Sequence, residues 1–359
     1  MVDATNTVRE AFEELMARYP VDSALELGFG EWGARVRSNS SEVLDRLGTY
    51  YKGFRNGQAP EPVNVHVFEG DAPPWKAAFS QEPPEPGKSK IKHESCDLTD
   101  GRVIRKRETG MQFLIGEDIL AAVGQCSSNL TQVINFINTR YMDHHLRRGC
   151  LLCHASAVSY KGRGLTIAGS SGAGKSTMAL HLIGHGASFV SNDRVLVKRD
   201  GRELSMFGVP KYPRVNPGTM LNNPNLRGLL SSQDQSSLAA MEPSALWTLE
   251  RKHDVRIDEV FGKDRVSLHS SLNALVLLTW QREQKAFQTE LINPRERPTS
   301  LRPLIKRPGI FHPRLPNTLD EGPLEERYAD LLQSCPVYHI TGGGNHAPAV
   351  SFCLDLLIR

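Results

Sequence analysis

The sequence predicts an α/β chain in which a unit of strand, glycine-rich turn and helix follows a smaller amino-terminal α+β domain. Three observations lead there. At 359 residues the chain is too long for one small core, so two domains are the natural expectation. From Gly149 the order becomes strand, glycine-rich turn, helix, with strand-like apolar runs recurring further on. Before Gly149, short alternating runs interleave with segments of helical spacing, an α+β pattern. The division is therefore placed at 1–148 and 149–359.

In chain order, Thr7 followed by Glu10 has capping-box spacing, and Val8, Phe12, Leu15 and Met16 then share one face of a helix ended by Pro20. Alternating runs at Ala34 to Arg37 and Val63 to Phe68 predict strands, with a helix near Ser41 to Tyr51 between them. Residues 71–90 are rich in proline and charge and read as an exposed loop. Arg102 to Glu108 and Met111 to Ile115 flank a Thr109-Gly110 turn, which predicts a hairpin closing the first domain's sheet. Leu130, Val133, Ile134, Ile137 and Tyr141 recur at helical spacing, and Gly149 stops that helix. In the second domain, Leu165 to Ala168 and Ala187 to Val190 predict strands around an apolar helix. The run Leu272 to Leu278 suits a buried strand, and Val337 to Ile340 precedes a helix over Ala347 to Leu357. Two proline-rich stretches, 206–225 and 282–323, read as long functional loops.

Composition excludes several classes. Lys and Arg number 43 against 40 Asp and Glu, a formal net charge of +3, so no overall charge argues for nucleic acid or membrane. The first residues, Met1 to Tyr19, mix charges among apolar groups, which predicts no signal peptide, and no segment has the apolar length of a membrane span. The expectation is a cytoplasmic chain whose six cysteines stay reduced.

The strongest chemical signal is the run GSSGAGKST. Gly169, Gly174, Lys175 and Ser176 satisfy G-x-x-x-x-G-K-[ST], with Ser170, Ser171, Gly172, Ala173 and Thr177 completing the loop. Glycines let backbone N–H groups converge on phosphate oxygens, Lys175 offers charge to the β- and γ-phosphates, and the Ser176 hydroxyl is suited to Mg²⁺ bridging them. The helix that starts there adds its positive dipole end. An apolar strand just before and an apolar helix just after give the motif the context it requires. The expected ligands are ATP and Mg²⁺.

Asp193, at the end of the strand that follows, is placed to hold the metal or to accept a proton from an attacking hydroxyl; an ordinary turn Asp is the plainer alternative. Cys150-Leu151-Leu152-Cys153-His154 spells the c-type haem signature, but no export signal accompanies it and a phosphate loop begins just downstream, so that reading is rejected. A zinc knuckle would need a second ligand pair, and His144 and His145 supply only a weak one.

The block from His154 to Val195 resembles the catalytic domain of HPr kinase/phosphorylase, a bacterial protein-serine kinase family built around a phosphate loop. His154 stands on the strand before the loop at the family's spacing, Asn192-Asp193 falls where the family carries paired aspartates, and Phe261-Gly262 leads into the apolar run Leu272 to Leu278. The resemblance covers Gly149 to Leu278 and, more loosely, the last strand and helix. It implies a fold of the HPr kinase/phosphoenolpyruvate carboxykinase type. It also implies roles: Asp193 as base toward an acceptor serine, Lys175 on the transferring phosphoryl group, His154 supporting the site, Ser176 and Asp193 on Mg²⁺. Three departures stand out. The first aspartate is Asn192, which removes a charge. The family's arginine falls on Ser267, leaving Arg265 as the substitute. The family's metal-binding glutamate has no clean match, with Glu250 nearest and Asp254 next.

The resemblance thus implies a protein-serine/threonine kinase with a protein substrate, and a homo-oligomer like the family's rings. A small-molecule kinase of the same architecture is the first alternative; an ATP-binding scaffold or sensor, favoured by Asn192 and Ser267, is the second. Among the remaining features, Arg295, Arg297, Arg302, Lys306, Arg307 and Arg314 gather among prolines and read as a solvated basic loop rather than a docking patch for an acidic substrate. Lys211 and Arg214 suit the nucleotide or acceptor pocket as well as the surface. Gly342 to Gly344 reads as a turn, since no Lys-Ser follows.

Overall fold

The computed structural model describes residues 5–57, 59–84, 89–281, 283, 285–312 and 323–358. Contacts divide the chain into two units: one runs to His144 and takes in residues 308–312, the other begins at His145 and holds the rest. The return of 308–312 to the first unit is not what a single cut at 148/149 anticipates. Its cause is a buried polar knot, in which Arg140 donates to the Phe311 carbonyl and pairs with Asp143, whose other oxygen meets His312.

In the first unit, α1 (Val8–Arg18) is held by the complete capping box of Thr7 and Glu10, a cap worth about 1 kcal/mol. A hairpin of β1 (Ser23–Phe29) and β2 (Trp32–Ser38) leads into α2 (Ser41–Tyr51) and β3 (Val63–Glu69). β1 escaped the sequence reading although Leu25, Leu27 and Phe29 alternate. The predicted loop 71–90 contains a short edge strand, β4 (Ser80–Gln81); residues 85–88 of that stretch lie outside the described residues. Then come β5 (His93–Leu98), β6 (Gly101–Lys106), β7 (Gln112–Gly116), β8 (Leu120–Gly124) and the long α3 (Leu130–Arg147). The eight strands form one sheet in the order β1-β2-β3-β8-β7-β6-β5-β4. The β6–β7 hairpin therefore sits inside the sheet and does not close it, because β5 and β4 extend beyond. Val8, Ala11 and Leu15 of α1 pack on Phe68, Val103, Leu114 and Val123.

The second unit opens with β9 (Leu151–Cys153), β10 (Ala155–Tyr160) and β11 (Arg163–Ala168), followed by α4 (Lys175–Gly184) and β12 (Ser188–Ser191). A hairpin of β13 (Val195–Asp200) and β14 (Glu203–Gly208) leads to β15 (Arg214–Val215), α5 (Pro217–Asn222), α6 (Ser232–Ala239), α7 (Pro243–Thr248), β16 (His253–Asp254) and α8 (Ile257–Phe261). The chain returns through β17 (His269–Ser271), β18 (Ala274–Gln281) and β19 (Lys285–Ile292), and ends on α9 (Leu324–Leu331), β20 (Val337–Gly343) and α10 (Ala347–Ile358).

Six strands make the sheet under the phosphate loop, in the order β12-β10-β11-β18-β20-β19. Its centre is parallel: β11 runs with β18, and β18 with β20. Residues Ala274 to Leu278 are all buried, as a strand covered on both faces requires. A second sheet, β17-β14-β13-β9, carries β9 and the hairpin. Both stretches read as long loops hold regular structure: 206–225 contains the end of β14, β15 and α5, and 282–323 contains β19 and a 3-10 turn, with 313–322 outside the described residues.

Candidate functional site

Every part of the site is fixed by an element that ends beside the loop. β11 stops at Ala168 and α4 starts at Lys175, so Gly169 to Gly174 must turn between them. Gly169 lies so close to β18 that a Cβ there would stand 2.5 Å from the Leu278 carbonyl oxygen. Gly172 and Gly174 adopt positive φ, 81° and 87°, which side-chain-bearing residues resist. Gly174 is the N-cap of α4 and brings no side-chain cap, leaving the first N–H groups of the helix aimed into the loop. The Lys175 ammonium donates to the carbonyl oxygens of Gly169 (2.9 Å) and Ser170 (3.0 Å). Burial lowers its pKa, against the opposing attraction of Asp193.

β12 delivers the second half. Just beyond it, Asn192 Oδ1 accepts hydrogen bonds from the hydroxyls of Ser176 (2.7 Å) and of Ser156 on β10 (2.9 Å). Ser176 thereby spends its proton on Asn192 and keeps its lone pairs for a cation. The next residue, Asp193, takes φ +72°, a left-handed conformation that turns its carboxylate toward the cleft. Its oxygens lie 3.5 Å from His154 Nε2 and 3.5 Å from Arg194 Nε. Burial works against its charge, but the His154 hydrogen bond and the nearby Arg194 and Lys211 hold the carboxyl well below the usual carboxylate range. His154 is itself anchored by its backbone N–H on the Leu304 carbonyl, 2.7 Å away.

His154, Ser171, Lys175, Ser176, Asn192 and Asp193 line one cleft of about 340 Å³, with Lys211, Tyr212, Arg214 and Lys252 on its other wall. A second cleft beside the loop, about 380 Å³, shares Gly172, Lys175, Ser176, Arg214 and Lys252 with the first but is continued by Thr177, Asn216, Thr219, Trp247, Trp280 and His346. Lys211 and Arg214 both line the first cleft, and Arg214 stays exposed at the surface as well. Arg214 pairs with Asp254 (3.2 Å) across the β15–β16 ribbon, which brings Asp254 into the neighbourhood that Glu250 was expected to fill.

Two expected site residues are elsewhere. The Arg265 guanidinium donates to the Ile183 carbonyl at 2.5 Å, in the last turn of α4. With a rise of about 1.5 Å per residue, that is about 12 Å along the helix from Lys175. Arg265 closes the carboxyl end of the helix, where a cation offsets the negative end of the dipole. Ser267 donates to the His269 carbonyl and does not approach the loop either. Glu250 is exposed and lines neither cleft. Lys252, Ser156, Trp247, Trp280 and His346 were missed. Each is brought in by a separate element, and no local motif marks them.

Phosphate fits this site: glycines at positive φ, an uncapped helix start and a lysine stand together. Among the described residues no group of three His, Cys, Asp or Glu side chains forms a metal site. A Mg²⁺ ion bound with phosphate needs only one or two protein ligands, and Ser176 and Asp193 are the residues here that would supply them. Cys150 and Cys153 are buried free thiols; burial pushes Cys150 up to about 12 and Cys153 higher still, and His154 Nε2 lies beside Asp193. Of the basic stretch, Arg295, Arg297 and Arg302 form exposed ion pairs with Asp330, Glu290 and Glu325, a solvated surface, and Arg314 lies outside the described residues. No described helix is long and apolar enough to cross a membrane.

Residues 150–213 match the family model of the HPr Serine kinase C-terminal domain. That span holds His154, the whole phosphate loop, Asn192 and Asp193, and ends before Glu250 and Arg265. Among solved structures, the HPr(Ser) kinase/phosphatase of Coxiella burnetii matches over 58% of this chain and 93% of its own, at 14% identity and a TM-score of 0.27. A likeness that slight carries no weight for function. No curated protein matches the sequence at a significant level.

Proposed function

We propose that this HPr-kinase-related chain is an ATP- and Mg²⁺-dependent phosphotransferase that phosphorylates a serine or threonine hydroxyl of a protein. The observation that carries the reading is the single cleft holding Lys175, Ser176, Asn192 and Asp193 together at the start of α4. The loop N–H groups and Lys175 bind the triphosphate, and Ser176 with Asp193 would hold Mg²⁺, which neutralises charge on the β- and γ-phosphates. The acceptor oxygen attacks the γ-phosphorus, the bond to the ADP oxygen breaks, and the hydroxyl proton passes toward Asp193. A carboxylate with so low a pKa accepts that proton weakly and late. Its main work is to orient the hydroxyl by accepting its hydrogen bond, which suffices in a loose transition state. His154 keeps the carboxylate in place.

Asn192 favours a second reading. With one negative charge fewer beside the metal, an ATP-binding scaffold or sensor would keep the same loop and lose only turnover. A small-molecule acceptor is the remaining alternative, to which the cations Lys211, Arg214 and Lys252 lend support by suiting an anionic metabolite. Incubation with γ-labelled ATP and host lysate, then separation of proteins from metabolites, distinguishes the three. The proposal expects label on protein serine or threonine. Label confined to metabolites, or ATP bound with no product, would replace it with the corresponding alternative.

A further inference from the structure

Resting on the nucleotide-binding reading, we infer that the two adjoining clefts that share Trp247 and His346, one lined also by Trp280 and the other by His181, form a base-binding site. It would take the purine ring of the nucleotide whose phosphates lie in the loop.

Three observations lead there. First, the two clefts beside the loop divide its residues: Ser171 lines only the Asp193 side, Thr177 only the Trp247 side, and Lys175 and Ser176 line both. A triphosphate with its γ end toward Asp193 must run its α end past Thr177. The third cleft, about 600 Å³, continues in that direction and shares Thr177, Thr219, Trp247, Gly344 and His346 with the second. Secondly, aromatic faces line the path. Trp280 and His346 stack at 5.1 Å with a 25° interplanar angle, and His181 follows at 5.7 Å and 25°. Trp247 lines both clefts and exposes 37% of its surface. Base-on-aromatic stacking tolerates this kind of mixed platform. Thirdly, Asn216 Oδ1 and Trp280 Nε1, an acceptor and a donor on residues that line the second cleft, are buried without a hydrogen-bond partner among the described residues, so a ligand edge that reached them would satisfy both. A purine carries both complements on its edge. Burial and the adjacent His181 push His346 down to about 4, so its ring is a neutral stacking face at ordinary pH.

The test compares ATP with tripolyphosphate, which has the phosphates and no base, on the full chain. Two of the four tryptophans, Trp247 and Trp280, lie in this unit, so intrinsic emission reports the site. ATP is expected to quench it and tripolyphosphate to leave it unchanged. Trp247→Ala is expected to weaken ATP about tenfold, the scale of one lost stacked base, while tripolyphosphate binds as before in calorimetry. ATP affinity unchanged in Trp247→Ala, with tripolyphosphate still bound, overturns the base site and leaves the phosphate loop standing. Equal weakening of both ligands also overturns it, as general damage to the fold. Failure of both ligands to bind the unaltered chain overturns the nucleotide reading itself, and this inference with it.

Discussion

The two ends of α4 sit on the same ten-residue helix and do opposite things. At the amino end, Gly174 provides no side-chain cap, Gly172 and Gly174 hold the chain at positive φ, and the N–H groups stay available. At the carboxyl end, Arg265 occupies the Ile183 carbonyl and closes the helix. One end is left unsatisfied by the chain and so can take an anion; the other is satisfied internally and contributes only to stability. A cation two residues from a family position therefore does not inherit a role there: what counts is which end of the helix the chain brings it to.

That contrast can be broken at several points. Lys175→Ala should have the largest effect, removing nucleotide binding and phosphoryl transfer together, as measured by calorimetry and label transfer; retained tight ATP binding would deny the amino end its role. Asn192→Asp should act next. The oxygen that accepts from Ser156 and Ser176 is preserved while a charge is added, so the Mg²⁺ concentration for half-maximal activity should fall several-fold. No change would separate Asn192 from the metal. Arg265→Ala should cost about 1 kcal/mol in denaturant unfolding, with transfer within about twofold of the original. A hundredfold loss of transfer would return Arg265 to the catalytic set.

The smallest effect concerns pH. The folded Asp193 carboxyl titrates below its unfolded value, so the stability it contributes is present above about pH 4 and lost as pH falls toward the folded value. Its side chain is 55% exposed, which keeps that contribution under about 1 kcal/mol after solvent screening. The stability difference between the unaltered chain and Asp193→Asn should therefore shrink as pH falls below 4. A difference that grows below pH 4 would contradict the lowered carboxyl.

Legibility followed sequence distance. The phosphate loop is contiguous, and His154 and Asp193 flank it closely, so their spacing survives in the fold. The capping box of α1 and the Gly149 stop are local too, and both were readable. Arg265, Glu250 and Lys252 depend on how the chain returns through α5 to α8, which no local pattern encodes. Glu250 suits a metal by its carboxylate alone, yet the chain brings Lys252 to the cleft and pairs Asp254 with Arg214 across the β15–β16 ribbon. Asn192 was visible as a missing charge. That two hydroxyls donate to it emerges only once β10 and α4 meet. β19 was hidden because the prolines after Ile292 gave the whole stretch a loop's composition, although its register with β20 is set by main-chain pairing.

The central claim is that the anion cradle at the start of α4 presents a terminal phosphate to the carboxylate beyond β12. Its most direct test is Asp193→Ala, which removes the accepting oxygens, with nucleotide binding and γ-phosphate transfer measured on the same preparation. The account predicts ATP affinity within a few-fold of the original and transfer reduced at least a hundredfold. Transfer at the original rate, with ATP bound, would contradict it.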